Sequence, residues 1–333
     1  MRVGLVGVGR IGAFHASTLV GLPGVDSLVL TDVDAARAEA VAGQLGCERA
    51  DSVDDLLASG IDALVVATAT ATHPDLITAG VAAGVPVFCE KPVARDIDDT
   101  LAVIERTTDA KVPVQIGFQR RFDNGYRTAR RAVQSGSLGH LHHLRATTLD
   151  PAPPPGEYLA SSGGFFRDCA VHDFDAIRWV TGCEVTEVYA VGANRGEEFI
   201  RAAGDVDAVS ALLTLEDGTF ALVSNSRYNA AGYDVRLELL GADASISVGL
   251  DERMPLRSAE PGVTFPAEPA YPHFMERFAV AYEAELTAFV SLAADGGDSP
   301  CTMADALEAF YIAEACEVSR RRRSPVLIAE VRR

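Results

Sequence analysis

The sequence holds little that would mark a secreted, membrane-bound or metal-binding protein. Its six cysteines (Cys47, Cys89, Cys169, Cys183, Cys301 and Cys316) include no CxxC pair, and no Cys/His spacing suits zinc. No metal is expected. Thiols scattered through a chain of this size point to a reducing compartment. No apolar run approaches the roughly 20 residues a membrane helix needs. The chain opens on a strand candidate rather than on the pattern of a signal peptide, so a cytoplasmic protein is expected. Positive charge is also scarce: 29 Lys and Arg stand against 47 Asp and Glu, a net charge of −18. That balance excludes nucleic acid and anionic membranes as expected partners and favours solubility. The run Arg320–Arg323 suits the C-terminal end of a helix. There is no internal repeat.

The length of 333 residues, with 48% hydrophobic and 23% charged residues, is ample for two domains with their own cores. Arg2–Val6 reads as a strand. It runs into Gly7-Val-Gly-Arg-Ile-Gly12 and then into a helical pattern, Ile11 to Leu19. This is GxGxxG in the context that gives it value, between strand and helix. Gly7 permits the tight turn, Gly9 lets the backbone approach a pyrophosphate, and Gly12 allows close packing. Arg10 and Ile11 complete the turn, and the phosphates would sit on the positive end of the helix. The next strand, Ser27–Thr31, ends at Asp32, twenty residues past Gly12. A carboxylate there can accept from both adenosine ribose hydroxyls and repel a 2′-phosphate, which selects NAD over NADP. Asp32 can equally cap the following helix, although Asp34 is better placed to do so.

Ile61–Ala67 is a nearly all-apolar strand, as a parallel strand covered on both faces should be. The loop at its carboxyl end, Thr68 to His73, can bond the ribose or nicotinamide of a cofactor; Thr72 or His73 can equally cap the helix Asp75–Ala83. A further strand runs from Val85 to Glu90 and Lys91, followed by the helix Ile97–Thr108 and the strand Val112–Phe118. Alternation at this spacing predicts a doubly wound parallel sheet of about six strands, a Rossmann domain over residues 1–118. Ligands bind at the carboxyl edge of such sheets, where Glu90 and Lys91 fall.

Beyond residue 118 the pattern changes. A linking helix, Gly125–Ser135, and a strand, Leu141–Thr148, precede the proline-rich Asp150–Pro155. Phe165–Val180 is helical. Five strand candidates then crowd together between Val185 and Val248, with turns at Glu216–Gly218 and Gly241–Asp243. Helices His273–Ala293 and Met303–Arg320 and a short strand, Pro325–Ala329, close the chain. The fold class is therefore α/β plus α+β: a Rossmann domain, then a mostly antiparallel β-sheet domain flanked by helices, residues 119–333.

Asp168 and His172 lie four residues apart in the helical stretch. With Lys91 they make a plausible set for alcohol oxidation. Histidine, with an ordinary pKa near neutrality, can take the hydroxyl proton while hydride leaves the same carbon. A cationic lysine can stabilise the developing alkoxide, and the aspartate can fix the lysine. An i,i+4 Asp–His pair of structural value only is the alternative.

Gly7–Gly12, Asp32, Cys89-Glu-Lys-Pro92 and the stretch from Gly164 to Asp175 together resemble the Gfo/Idh/MocA oxidoreductase family over nearly the whole chain. Arg120–Gly125, Asp150–Pro155, Ser162–Gly164 and Gly232–Asp234 resemble that family's inositol dehydrogenases. The resemblance implies a Glu-Lys-Pro motif around a Lys91–Pro92 bond that is often cis, with Glu90 and Lys91 at the cofactor. It implies a Lys91–Asp168–His172 catalytic set with His172 as base, and polyol contacts from Arg121, Asp150 and Tyr233. It also implies NAD as cofactor, a small neutral polyol as substrate, oxidation of myo-inositol to scyllo-inosose or of another cyclitol or pyranose, and a homodimer or homotetramer built through the C-terminal sheet. The competing reading is a dinucleotide-binding regulator that has lost the chemistry, but such a chain has no reason to keep Lys91, Asp168 and His172 together.

Overall fold

The apolar runs of the first hundred residues become buried strands. The structure is a computed structural model that describes residues 1–333 except the side chains of Ala160 and Ser161. Strands β1 (Arg2–Val6), β2 (Ser27–Thr31), β3 (Glu48–Arg49), β4 (Ala63–Val66), β5 (Val87–Glu90) and β6 (Val114–Gly117) form one parallel sheet in the order β3-β2-β1-β4-β5-β6. Every residue of β4 is fully buried, as a strand with helices on both faces requires. The two-residue β3 was not anticipated; Glu48 and Arg49 are both exposed and carry no hydrophobic signal. Strand order reverses between β1 and β4, the switch point outside which doubly wound sheets bind ligands.

The chain divides into two compact units, Met1–Gln119 with Val280–Leu307, and Arg120–Ala279 with Glu308–Arg333. The first unit thus takes in a segment from well beyond residue 118. The reason is hydrophobic: the helix Ala279–Asp295 places Leu286, Phe289 and Val290 in the same buried cluster as Val3, Leu5, Leu30 and Phe88. Phe289 and Phe88 lie with ring centroids 5.7 Å apart. Each such side chain, fully buried, contributes about 1.5–3 kcal/mol, enough to commit the segment to the first unit.

The second unit is built on a seven-stranded sheet. Its strands are β7 (Leu141–Leu149), β8 (Val185–Ala193), β9 (Ala208–Leu215), β10 (Phe220–Ser226), β11 (Asp234–Gly241), β12 (Ser245–Val248) and β13 (Val326–Leu327), in the order β12-β11-β7-β10-β9-β8-β13. Pairing is antiparallel except between β7 and β10. Burial alternates along the strands. Leu144, Val188, Leu213, Val223 and Leu237 point into the unit. The helix Met303–Arg322 is tied to the sheet by the Ser319 hydroxyl, which accepts from the Ala190 N–H at 2.9 Å. On the opposite face Tyr189, Leu212 and Leu222 are directly paired across β8, β9 and β10 and remain 40–45% exposed. Among the described residues no helix is long and apolar enough to cross a membrane.

Candidate active site

In the first unit the site begins where β1 ends. Gly7 adopts φ +90°, and a Cβ there would stand 2.8 Å from the Ala67 carbonyl oxygen at the end of β4. At Gly12 a Cβ would lie 1.9 Å from the Gly7 carbonyl oxygen, so only glycine lets the helix Arg10–Gly21 approach its own turn. At Gly9 the result is opposite: a Cβ would meet nothing within 4 Å. The residues thus leave room above Gly9, the N-cap of a helix with no capping side chain and no acid in its first turn. Unopposed N–H groups and open space at one helix end fit an anionic phosphate.

Asp34 caps the helix Ala35–Leu45 by accepting from the N–H groups of Ala36 and Arg37. Asp32 does other work. Its Oδ2 accepts from Val8 N–H at 2.7 Å and its Oδ1 from Asp34 N–H at 2.9 Å, which pins the end of β2 to the glycine turn. The Arg37 guanidinium lies 3.6 Å from the same carboxylate. Thr68 pairs its hydroxyl with that of Thr72 at 2.7 Å.

His73 departs from expectation. It is 1% exposed, with Nδ1 2.7 Å from the Pro92 carbonyl oxygen and Nε2 3.2 Å from that of Thr68. Burial pulls its pKa down, against the two carbonyls. The shorter contact places the donated proton on Nδ1. Both ring nitrogens therefore face backbone, and His73 acts by holding the loop after β4 to Pro92 rather than by reaching a ligand. Neither Thr72 nor His73 caps its helix through a side chain. The Lys91–Pro92 bond is cis. Glu90, expected at the cofactor, has its Oε1 2.7 Å from Nε2 of the buried His15.

In the second unit the stretch read as one helix is a π-helical turn, Phe166–Ala170, leading into the α-helix Val171–Thr181. Such wide turns are frequent at functional sites. Asp168 lies in the π turn and His172 opens the α-helix. The Asp168 carboxylate accepts from the Tyr158 hydroxyl at 2.6 Å, and the Arg227 guanidinium stands 3.7 Å from its other oxygen. Arg227 is 1% exposed, stacks on Phe165 with its guanidinium 4.6 Å from the ring centroid, and donates to Asp205 at 3.2 Å. Asp173, beside His172, is also buried. It accepts from Arg120 at 2.5 Å, from the Thr148 hydroxyl at 2.9 Å and from Asn225 at 2.5 Å.

Tyr233 is buried, and burial pushes its hydroxyl well above the usual tyrosine pKa; Arg120 opposes that, while Asp150, Cys169 and Asp173 add to it. It therefore stays a neutral donor at physiological pH. Asp150 follows β7, its N–H bonded to the Ser226 carbonyl at 2.8 Å, and its charge is felt by Arg227, Cys169 and Tyr233. The structure thus gathers Asp150, Asp168 and Tyr233 into one neighbourhood of the second unit.

Arg121 grips Asp175 through its Nε and Nη2 at 3.0 and 2.6 Å, with the two side chains 5% and 0% exposed. Removing one member of such a pair costs about 3–5 kcal/mol. The guanidinium coupled to Tyr233 and Asp173 is that of Arg120. The two arginines lie in a 3₁₀ turn, Gln119–Phe122, where adjacent side chains diverge by about a third of a turn. An Arg-Arg doublet does not say which member faces the site. Among the described residues no group of three or more His, Cys, Asp or Glu side chains is placed to hold a metal.

Residues 1–118 match the oxidoreductase family with an NAD-binding Rossmann fold, GFO/IDH/MocA, and residues 126–247 match the GFO/IDH/MocA C-terminal domain. The chain belongs to the GFO/IDH/MocA family. It is 40% identical to a myo-inositol dehydrogenase of Streptomyces leeuwenhoekii over 96% of this chain and 97% of that one. It is 35% identical to an inositol 2-dehydrogenase of Rhizobium meliloti over 99% of both chains. The crystal structure of scyllo-inositol dehydrogenase from Lactobacillus casei with bound NAD(H) and scyllo-inositol superposes with a TM-score of 0.89 at 31% identity, covering 99% of each chain.

This GFO/IDH/MocA chain is therefore an oxidoreductase, and NAD is its cofactor. The residues present fit it: the space over Gly9 and the uncapped helix suit the pyrophosphate, and Asp32 suits the adenosine ribose. Reading the sequence missed His15, Tyr158, Arg120, Asp173 and Arg227. For Asp173 a signal existed, since aspartates at 173 and 175 interrupt an otherwise apolar helix face. For His15 and Arg227 none did, because their partners lie far away in the chain.

Proposed function

We propose that this enzyme oxidises a secondary hydroxyl of a cyclitol to a ketone, with myo-inositol converted to scyllo-inosose. The observation that carries this reading is the charge balance around Tyr233 and Asp150. Arg120, Arg121 and Arg227 are each paired with an aspartate, Asp173, Asp175 and Asp205. What the neighbourhood offers is a neutral phenol and carboxylates, which suit hydroxyl groups and disfavour a phosphorylated or anionic sugar. The inositol substrates in the names of the relatives agree with this.

Bound NAD supplies the hydride acceptor. In this reading His172 takes the hydroxyl proton on its imidazole. Lys91, cationic, stabilises the oxygen as negative charge develops on it, and Asp168 steadies the lysine. Asp150, Tyr233 and Arg121 orient the polyol, with Arg120 charged beside Tyr233. The deciding test is NADH formation across a panel of myo-inositol, scyllo-inositol, their deoxy analogues, neutral pyranoses and sugar phosphates. Cyclitols should lead. Deoxy analogues should fall well behind, because a site built to bond a hydroxyl is left with unpaired polar groups when it is missing. A sugar phosphate far ahead of every cyclitol would overturn the assignment.

We also propose a cytoplasmic homodimer or homotetramer, joined through the exposed sheet face. Tyr189, Leu212 and Leu222 lie in one row across three strands, and the row continues into Arg145 and Glu238, which pair at 3.3 Å. A contiguous apolar strip beside a charged pair is the kind of surface a second copy covers. Leu222→Arg should shift the enzyme to monomer in sedimentation analysis. An unchanged mass for that variant would remove this face from consideration.

A further inference from the structure

His15 lies on the helix Arg10–Gly21, six residues beyond Gly9 and so about 9 Å along the axis from the phosphate-facing end. It is fully buried, edge-on to Phe88 and Tyr282, with ring centroids 5.7 and 5.6 Å away. Its Nε2 stands 2.7 Å from Glu90 Oε1. Its Nδ1 is buried and finds no hydrogen-bond partner among the described residues. The tautomer that fits carries its proton on Nε2 and donates it to Glu90.

Glu90 is the last residue of β5 and directly precedes Lys91. Its carboxylate also packs against β6: the register pairs Glu90 with Gly117, and a Cβ on Gly117 would stand 3.2 Å from Oε2. The carboxylate is thus clamped between a histidine of the cofactor helix and a glycine of the neighbouring strand. The core does not need this pair. Apolar side chains at both positions would fill the same space without the cost of desolvating a carboxylate.

We propose that His15 is a positioning residue: by fixing the Glu90 carboxylate it sets where Lys91 leaves the sheet, and it couples that position to the helix that receives the cofactor phosphates. The inference rests on the reading of Lys91 as the cation at the reacting oxygen. It gives the Glu of the Glu-Lys-Pro segment an internal task rather than a contact with the cofactor.

The test compares kcat and NADH affinity for His15→Leu, His15→Gln, Glu90→Met and His15→Leu/Glu90→Met, with Lys91→Ala in parallel. A misplacement of about 1 Å at a reacting group can cost 10²-fold. His15→Leu should therefore lower kcat by roughly 30- to 100-fold, with NADH affinity within a few-fold of wild type. His15→Gln puts an amide N–H near the place of Nε2 and should recover most of the loss. Glu90→Met, which has no oxygen to accept from Nε2, should resemble His15→Leu, and the double variant should be no slower than the slower single, since both break one contact. If His15→Leu does not fold, the contrast between a fast His15→Gln and a slow Glu90→Met supports the proposal, and equal turnover of the two overturns it. Wild-type turnover in His15→Leu, or a fall in thermal stability alone, also overturns it. Lys91→Ala separates the two levels. If that variant is inactive while His15→Leu is normal, only the role of His15 is lost; if it turns over normally, the reading of Lys91 itself is wrong.

Discussion

Replacing His172 with alanine is expected to lower kcat by about 10²–10⁴-fold, the usual cost of losing a positioned general base, while NADH binds as before. The separation follows from where the residues lie. The glycine turn, Asp32 and the helix proposed to face the phosphates belong to the first unit, and His172 lies in the first turn of a helix of the second. Lys91→Ala should cost a comparable factor, because a cation aimed at a developing oxyanion acts mainly in the transition state. Asp168→Asn should cost less than either. The amide oxygen can still accept from Tyr158, so the side chain keeps that contact and loses its charge and the oxygen turned toward Arg227. The three effects should be far from additive, as for any set that works as a unit. The measurement is single-turnover and steady-state kcat for folded variants, with NADH titrated alongside. Near-normal turnover in His172→Ala would move the base elsewhere and leave His172 as a helix-stabilising residue.

The wild-type enzyme should prefer NAD to NADP by about a hundredfold or more in kcat/KM, a factor worth roughly 2.8 kcal/mol. Asp32 already accepts two backbone N–H groups, from Val8 and Asp34. A carboxylate has about four acceptor sites, so two remain for the ribose hydroxyls. A 2′-phosphate would instead meet a negative group whose place is fixed by the backbone, and an unrelieved like-charge contact costs several kcal/mol. The means of reversing the preference is already present. Arg37 is about half exposed at its side chain and lies 3.6 Å from Asp32. In Asp32→Asn that arginine loses one of its two carboxylate neighbours, keeping Asp34 at 3.2 Å, and can turn its free edge to a 2′-phosphate, so the preference for NAD should shrink by about tenfold or more. Kinetics with both cofactors on both proteins decide it. Equal efficiency with NADP in the wild type would reduce Asp32 to a strut for the glycine turn.

The parallel sheet and its ligand-binding edge were legible because they are local. Apolar runs such as 61–67 announce covered strands, and Gly7, Gly9 and Gly12 occur where strand meets helix. Even there the three glycines divide their work in a way only geometry reveals, with close contact at Gly7 and Gly12 and open space at Gly9. What escaped the sequence is non-local. Glu90 is 75 residues from His15, and nothing in either neighbourhood names the other. The same holds for Asp168 and Arg227, whose contact is made by the fold. His73 was misread because a histidine in a polar loop suggests a ligand contact, whereas here burial and two carbonyls claim it. Arg120 and Arg121 are chemically equivalent in the sequence and become distinct only once Asp173 and Asp175 take one each.

The return of Leu286, Phe289 and Val290 to the first unit has a consequence in time. A ribosome delivers β1, the glycine turn and Asp32 early, and at roughly 5–20 residues per second it needs many more seconds to deliver position 290. Until then the apolar cluster that holds Leu19, Leu22 and Phe88 lacks Leu286, Phe289 and Val290. The half that receives the cofactor is the first to be made and among the last to be finished. In the newborn protein, competence to hold a dinucleotide is timed by residues that touch neither the dinucleotide nor the substrate.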